Sequence, residues 1–354
     1  MKTVDEARLD EFMGRVVGYM TGGAACFAIW LGDELGLYRI LDEAGPASAQ
    51  LVADRAACHP RLIREWLDGQ VAAGLVDYDP TADTYALSPE AAVALADDTS
   101  PVFTARGTNA LGSLFKDADQ IKAAFLGDGG LAWGEHDPCL FKGTEWFFRT
   151  GYQAYLPDVW IPALNGVQAK LAAGASVADV GCGHGASVVT MARAYPGSHF
   201  TGFDYHEPSI VTARQRAAEA GVDRQTRFEV ATATDYPGSY DLICFFDCLH
   251  DMGDPVGAAR HARDHLRPNG TVMLVEPFAL DNRVDNLRSN PMAALLYTAS
   301  SAICTPNSLS QDVALGLGAQ AGEAQLREVF TQAGFTQFRR AAETPLNLIL
   351  EAQP

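Results

Sequence analysis

Apolar positions along the chain follow two different grammars. Residues 5–35 repeat them at helical spacing and predict one long helix; residues 48–56 and 60–73 predict two short helices around Cys58-His59. Two short β-rich runs at 74–78 and 84–87, joined by Asp79-Pro-Thr-Ala-Asp83, complete a winged-helix layout over residues 1–100. Beyond residue 165 strands and helices alternate instead. Strand patterns at 177–180, 198–204, 227–235, 241–247 and 271–276 are separated by helical ones at 186–195 and 256–266, with Arg267-Pro-Asn-Gly270 read as a turn. Such alternation predicts an α/β domain with a doubly wound parallel sheet over 165–354. The run at 241–247 is almost wholly apolar, as expected of a strand covered on both faces. Residues 285–304 read as an apolar helical stretch, 322–334 as the last helix, and 335–340 with 347–351 as closing strands. The intervening segment, 101–164, is rich in aromatics from Phe103 to Tyr155, too apolar for a flexible linker, and is expected to be a packed helical connector.

The candidate chemistry begins in the run Val-Ala-Asp-Val-Gly-Cys-Gly-His-Gly at 177–185. Gly181, Gly183 and Gly185 suit a tight strand-to-helix turn that a ligand approaches closely, with the following helix aiming its N–H groups at that ligand. The spacing is G-x-G-x-G, neither the dinucleotide fingerprint G-x-G-x-x-G nor a phosphate loop with its lysine. Asp179 lies two residues before the first glycine, where it would repel a pyrophosphate but favour an ammonium or a sulfonium. Asp204 ends the next strand, placed to reach ribose hydroxyls over the turn. Thr232 and Ala233, ending the third strand, would flank an adenine. Tyr205, Phe246 and Asp247 complete the candidate cofactor residues.

With the segment Leu249-His-Asp-Met-Gly-Asp-Pro255 after the fourth strand, residues 165–354 resemble class I S-adenosylmethionine-dependent methyltransferases, most closely the small-molecule O-methyltransferases. The resemblance implies a Rossmann-like seven-stranded sheet with a C-terminal antiparallel hairpin, S-adenosylmethionine as cofactor, and an N-terminal winged-helix domain for dimerisation. It also implies that His250 removes the acceptor proton. An imidazole suits that task near neutrality, while a structural or substrate-contacting histidine is the other reading. Two features depart from the family pattern. The family usually shows Trp and then Asp-Glu downstream, whereas this chain has Met252, Gly253, Asp254 and Pro255, and Thr232 stands where many relatives carry an Asp that receives the adenine amino group. Asp254-Pro255 reads as a helix start, and Glu276 either as a cleft residue or as an exposed strand-end acid. Trp146, Tyr152 and Met292 are the candidate acceptor-pocket residues; Arg149 and Tyr152 are also within conceivable reach of the cofactor carboxylate. His199, His206, His261 and His265 are expected in solvent.

Charge narrows the partners. The net charge is −18 over 354 residues, and residues 1–100 hold seven Lys plus Arg against seventeen Asp plus Glu. A polyanion is repelled by such a balance, so the winged helix is expected to mediate homodimerisation and cover the acceptor, without nucleic acid. No run of about eighteen apolar residues is recognised, and the acidic start lacks the basic character of a signal peptide; no membrane partner and a cytoplasmic location are the expectation. Seven cysteines without a C-x-x-C pair fit reduced thiols and no metal site. The function expected is methyl transfer to a hydroxyl of a small molecule. A cofactor-sensing transcriptional regulator, or a methyltransferase fold carrying other chemistry, are the alternatives.

Overall fold

The computed structural model describes residues 4–354. The chain forms two compact units, one built from residues up to 112 together with 142–150, the other from 113–141 and 151–354. The segment 101–164, expected as a single connector, is thus divided between them.

In the first unit the long helix α1 (Glu6–Glu34) starts at Asp5, whose carboxylate accepts from the Arg8 N–H. Helices α2 (Leu37–Ala44), α3 (Ala49–Ala56) and α4 (Pro60–Ala72) follow. Ser48 caps α3, and His59 caps α4 through a ring nitrogen accepting from the Arg61 N–H, with Pro60 at the first turn. The wing is an antiparallel pair, β1 (Asp77–Asp79) and β2 (Thr84–Ala86), in register Asp77 to Ala86. β1 begins three residues later than the apolar pattern suggests, because Leu75 still closes the end of α4 through its N–H to the Gln70 carbonyl and Val76 turns into the core. Leu37, Tyr38, Leu41, Leu67 and Tyr85 form that core.

α1 behaves differently from its neighbours. Leu9, Phe12, Met13, Val17, Met20 and Phe27 are all exposed along it. An 18-residue window of the helix reaches a mean hydropathy of 1.2, so α1 is long and apolar enough to cross a membrane by length and composition alone. Within this helix Gly14, Gly18, Gly22 and Gly23 interrupt the apolar side chains, so no continuous apolar run announces it in the sequence.

The second unit is a seven-stranded sheet formed by β3 (Ser176–Val180), β4 (His199–Asp204), β5 (Thr226–Val230), β6 (Tyr240–Phe246), β7 (Leu266–Pro277), β8 (Gln337–Glu343) and β9 (Asn347–Gln353). Its order is β5-β4-β3-β6-β7-β9-β8, with β9 antiparallel to both neighbours and the first five strands parallel. Chain order reverses between β3 and β6, and the crevice over their carboxyl ends is the place where such sheets take ligands. Val180, Phe203, Ile243, Phe245 and Leu274 bury the sheet's faces under flanking helices. Three boundaries differ from the pattern. β5 stops at Val230, which leaves Thr232 and Ala233 in the loop beyond it. The expected turn at 267–270 is absorbed into β7, with an irregular register between Tyr240 and Leu242. The stretch 285–304 breaks at Asn290-Pro291 into Arg283–Ser289 and Ala293–Ala299, followed by a π-helical turn, Ser300–Cys304; a proline cannot continue the preceding helix.

Candidate cofactor and catalytic site

The turn after β3 is organised by β4. The N–H groups of Gly181 and Cys182 donate to the Phe203 carbonyl at 2.8 and 3.0 Å, and the Gly183 N–H to Asp204 Oδ2 at 2.8 Å. Asp204 Oδ1 accepts from the His206 N–H at 2.9 Å. The candidate ribose acid is therefore fastened to the glycine turn itself. Burial raises its carboxyl above the usual range, against the pull of those two N–H donors. Gly183 and Gly185 lie at φ of 50° and 77°. A side chain at Gly185 would meet the Phe228 ring at 2.8 Å, whereas one at Gly183 would enter open space.

Asp179 is 1% exposed. Ser187 Oγ, in the first turn of the helix Ala186–Ala194, donates to its Oδ2, while Oδ1 is buried with no hydrogen-bond partner. Burial pushes this carboxyl up to about 7 despite the serine, with repulsion from Asp204 adding to it. An orphaned buried carboxylate oxygen is costly and marks a place for a donor. The open face at Gly183 and this oxygen together fit a nucleoside bearing a cationic amino-acid end. Tyr205, 46% exposed, donates to Asn307 Oδ1 at 3.2 Å. Thr232 is exposed and 3.3 Å from Thr234 Oγ1, and Ala233 packs at the edge of the core. Phe246 is buried against Tyr152, ring centroids 5.3 Å apart, and Asp247 follows it into the crevice.

His250 sits in the single turn Leu249–Asp251 that leaves β6, and it is buried. Its Nδ1 is bound to Glu276 Oε2, while Glu276 Oε1 accepts from the backbone N–H groups of Leu249 and His250 at 3.0 and 3.3 Å. Glu276, at the end of β7, is 2% exposed. Of its two sequence readings the cleft one holds, and the residue is a direct partner of His250. Parallel β6–β7 pairing is what brings them together: the end of one strand delivers the acid to the end of the next. Burial opposes protonation of His250, but the adjoining Glu276 carboxylate and the Cys304 side chain outweigh it and raise the imidazole well above its ordinary value. The ion pair is complete below the ordinary histidine value of about 6.5 and is lost as pH rises through the raised one. Replacing Glu276 by glutamine should therefore move the His250 titration, followed by its ring-proton NMR resonance, toward lower pH by roughly one unit or more.

Around this pair Asp251 is raised to about 7 by burial, and its carbonyl accepts from Asn307 and Gln311 side chains. Asp254 caps the helix Pro255–His265 by accepting from the Gly257 N–H at 2.7 Å, as its sequence context suggests. A cavity of about 620 Å³ is lined by Phe125, Tyr297, Thr305, Leu309, Leu317 and Gly318, and the Gly318 N–H donates to the His250 carbonyl at 3.0 Å.

The three pocket candidates are not gathered there. Met292 is half-buried at the start of the helix Ala293–Ala299. Tyr152 donates to Asp247 Oδ2 at 3.3 Å. Trp146 belongs to the first unit, where its ring lies 5.8 Å from Phe103 and carries the Arg106 and Arg149 guanidiniums at 4.3 and 4.5 Å. It is partly buried against that unit's core, with the guanidiniums over its ring. Arg149 belongs to the first unit as well. Three histidines expected in solvent are partly covered: His206 bonds Ser209, and His261 bonds the Tyr236 carbonyl and stacks on His265. All seven cysteines are free, and no cluster of metal-ligating side chains exists among the described residues.

A doubly wound sheet with a glycine turn, a ribose-side acid and a histidine at its switch point defines a nucleoside-binding α/β domain. Residues 171–334 match the family model of the methyltransferase domain, and residues 23–97 match that of the Rv2258c-like winged HTH domain. Residues 171–334 are thus a methyltransferase domain and residues 23–97 a winged helix-turn-helix domain. The chain is 30% identical over 132 residues to a ubiquinone biosynthesis O-methyltransferase of Marinobacter nauticus, covering 36% of this chain and 55% of that one. The chain spans about half the length of this relative. Over nearly its whole length the fold is that of mitomycin 7-O-methyltransferase MmcR, with a TM-score of 0.69, 18% identity, and 99% of this chain and 100% of that one covered. Human N-acetylserotonin methyltransferase, solved with S-adenosylmethionine, gives a TM-score of 0.68 at 20% identity, covering 100% of this chain and 99% of that one.

Proposed function

We propose that the chain is an S-adenosylmethionine-dependent enzyme that methylates a hydroxyl oxygen of a small molecule in the cytoplasm. The observation that carries this reading is the convergence, at one switch point, of the unpartnered Asp179 oxygen, the turn fastened to Asp204, and the His250–Glu276 pair. Asp179 would receive the ammonium end of the cofactor, Asp204 the ribose hydroxyls, and Tyr205, Thr232 and Ala233 would border the adenine. When bound, S-adenosylmethionine supplies an electrophilic methyl on a sulfonium. Everything else falls to the chain's own residues. Glu276 fixes Nδ1 of His250, so Nε2, on a ring that also interacts with the Cys304 side chain, would be the nitrogen that accepts the acceptor's proton. The buried surroundings of His250 keep bulk water from competing for that proton.

Calorimetry with S-adenosylmethionine and S-adenosylhomocysteine tests the binding half of the reading, and mass spectrometry of phenolic test acceptors tests transfer. Absence of binding by either ligand rejects the proposal. The relatives' names place them among O-methyltransferases, which supports oxygen over nitrogen or carbon as the accepting atom.

The same proposal covers assembly. The apolar side chains exposed along α1 need a partner, and a second copy of the helix supplies a self-complementary one. The acidic balance of residues 1–100 argues against nucleic acid as the occupant. Placing aspartates at Val17 and Met20 should convert a dimer to a monomer in sedimentation velocity; an unchanged sedimentation coefficient would exclude α1 as the interface.

A further inference from the structure

One buried amide joins three segments of the second unit that lie far apart in the chain. Asn307 is 3% exposed, in the short helix Thr305–Leu309 that follows the π-helical turn Ser300–Cys304. Its Oδ1 accepts from the Trp133 N–H at 3.0 Å and from the Tyr205 hydroxyl at 3.2 Å, and its Nδ2 donates to the Asp251 carbonyl at 3.1 Å. The three partners are 174, 102 and 56 positions away. Trp133 offers a backbone donor there and Asp251 a backbone acceptor, so the amide fits in one orientation. An apolar side chain of the same volume could fill this place, but all three groups would lose this partner.

Each partner belongs to a working part of the site. Tyr205 follows the ribose-side acid Asp204, whose carboxylate also accepts from the His206 N–H. Trp133 belongs to the segment 131–135, which is drawn to the same side. The Leu131 N–H donates to the Pro306 carbonyl at 3.0 Å, and the Trp133 ring lies 5.3 Å from Phe141, itself 4.9 Å from the His206 ring. Asp251 follows His250, and the neighbours of Asn307 grip that turn as well. Ser308 Oγ donates to the Met252 carbonyl at 2.8 Å, and Gln311 donates to the Asp251 carbonyl at 3.2 Å while accepting from the Gly253 N–H at 3.0 Å. The nucleoside side and the catalytic turn therefore share one side chain. An in-line transfer loses much of its rate when the reacting groups are misplaced by about 1 Å, so a rigid link between the two has a direct use.

We propose that Asn307 is a positioning residue of the transfer reaction, holding Tyr205 and residues 131–135 in fixed relation to the turn that carries His250. Resting on the function proposed above, the assignment deepens it: a nucleoside seated against Tyr205 acts on the His250 turn through Asn307 as well as by direct contact. Such a link is reciprocal, so whatever loosens the amide loosens both ends. The base remains His250.

Adenosine separates the relayed effect from the direct one, because it fills the nucleoside side and lacks both the sulfur and the amino-acid end. In the full wild-type chain, adenosine should displace the ring-proton NMR resonance of His250, assigned by its loss in H250N. N307L places an apolar side chain of similar volume that makes none of the three bonds. There the displacement should be lost, and adenosine affinity measured by calorimetry should fall roughly tenfold. Y205F keeps the ring beside the nucleoside and removes a single hydroxyl from a side chain that is 46% exposed. Its affinity should stay within about threefold of wild type while the displacement shrinks, so Y205F reads the link even if N307L shows no melting transition. A displacement of wild-type size in Y205F or in folded N307L, or none in the wild type at millimolar adenosine, would overturn the assignment alone. A lower melting temperature of N307L with an unchanged displacement would make Asn307 a purely structural residue. A wild type that binds neither adenosine, S-adenosylmethionine nor S-adenosylhomocysteine would overturn the function proposed above, and this assignment with it.

Discussion

Replacing His250 by asparagine is expected to lower methyl transfer by roughly 10²–10⁴-fold, the range typical of a lost general base, with S-adenosylhomocysteine affinity nearly unchanged. The expectation follows from geometry. His250 is tied by Nδ1 to a buried acid, which turns the opposite edge of the ring, beside the Cys304 side chain, toward an acceptor in this reading. The pH dependence has a definite sign. Glu276 and Cys304 together hold the imidazole well above its ordinary value, so the protonated, inactive form of the base persists beyond the ordinary histidine range in the resting site. Transfer should therefore rise with pH along a limb above about 6.5, the ordinary histidine value. In E276Q the limb should move to lower pH while the plateau drops, since the ring is then neither charged nor oriented by a carboxylate. A pH–rate profile of kcat/KM separates the two effects. If H250N weakened S-adenosylhomocysteine binding as much as transfer, the histidine would be a structural residue.

How much of this was legible beforehand depends on how far apart in the chain the partners lie. The glycine turn, Asp179 and Asp204 occupy two successive strands, and their relation follows from the fixed geometry of a strand–turn–helix–strand unit. Placement at the switch point needed no more than that pattern. Glu276 was ambiguous because a strand-end acid faces the cleft only if its strand neighbours the one bearing His250. Parallel pairing of β6 with β7 settles this, and no local pattern encodes it. An acid at the carboxyl end of the strand that follows the histidine was the available signal. Trp146 shows the opposite failure. Aromatics at helical spacing announce burial but not the core they enter, and the helix Pro138–Tyr155 contributes to both units. The histidines at 206, 261 and 265 were misread because their partners are a helix-start serine, a loop carbonyl and another ring, contacts invisible to hydropathy. Along α1 the pattern identifies the helix and its apolar positions, while Gly14, Gly18, Gly22 and Gly23 interrupt them as a continuous run.

Substitutions at two glycines of the same turn should fail in different ways. Gly183 has φ of 50° and nothing within 4 Å of where a Cβ would stand. An alanine there pays only the left-handed backbone cost, about 1–2 kcal/mol, which in a domain of this size lowers the melting temperature by a few degrees. Its methyl would project into the space proposed for the cofactor, so S-adenosylhomocysteine affinity should fall by roughly tenfold or more while the fold persists. Gly185 has φ of 77°, and a Cβ there would come within 2.8 Å of the Phe228 ring and 3.1 Å of the Ala213 methyl. Neither neighbour can retreat easily: Phe228 is held in β5 under the helix Glu207–Glu219, and Ala213 is fully buried in that helix. Overpacking adds about 1–3 kcal/mol to the backbone cost, so Gly185→Ala should unfold at a distinctly lower temperature than Gly183→Ala. Thermal denaturation with and without S-adenosylhomocysteine reads both at once. A Gly183→Ala chain that is nearly as stable as wild type yet no longer stabilised by the ligand is the expected signature. Full ligand-induced stabilisation of that variant would mean that the turn shapes the sheet without touching the cofactor.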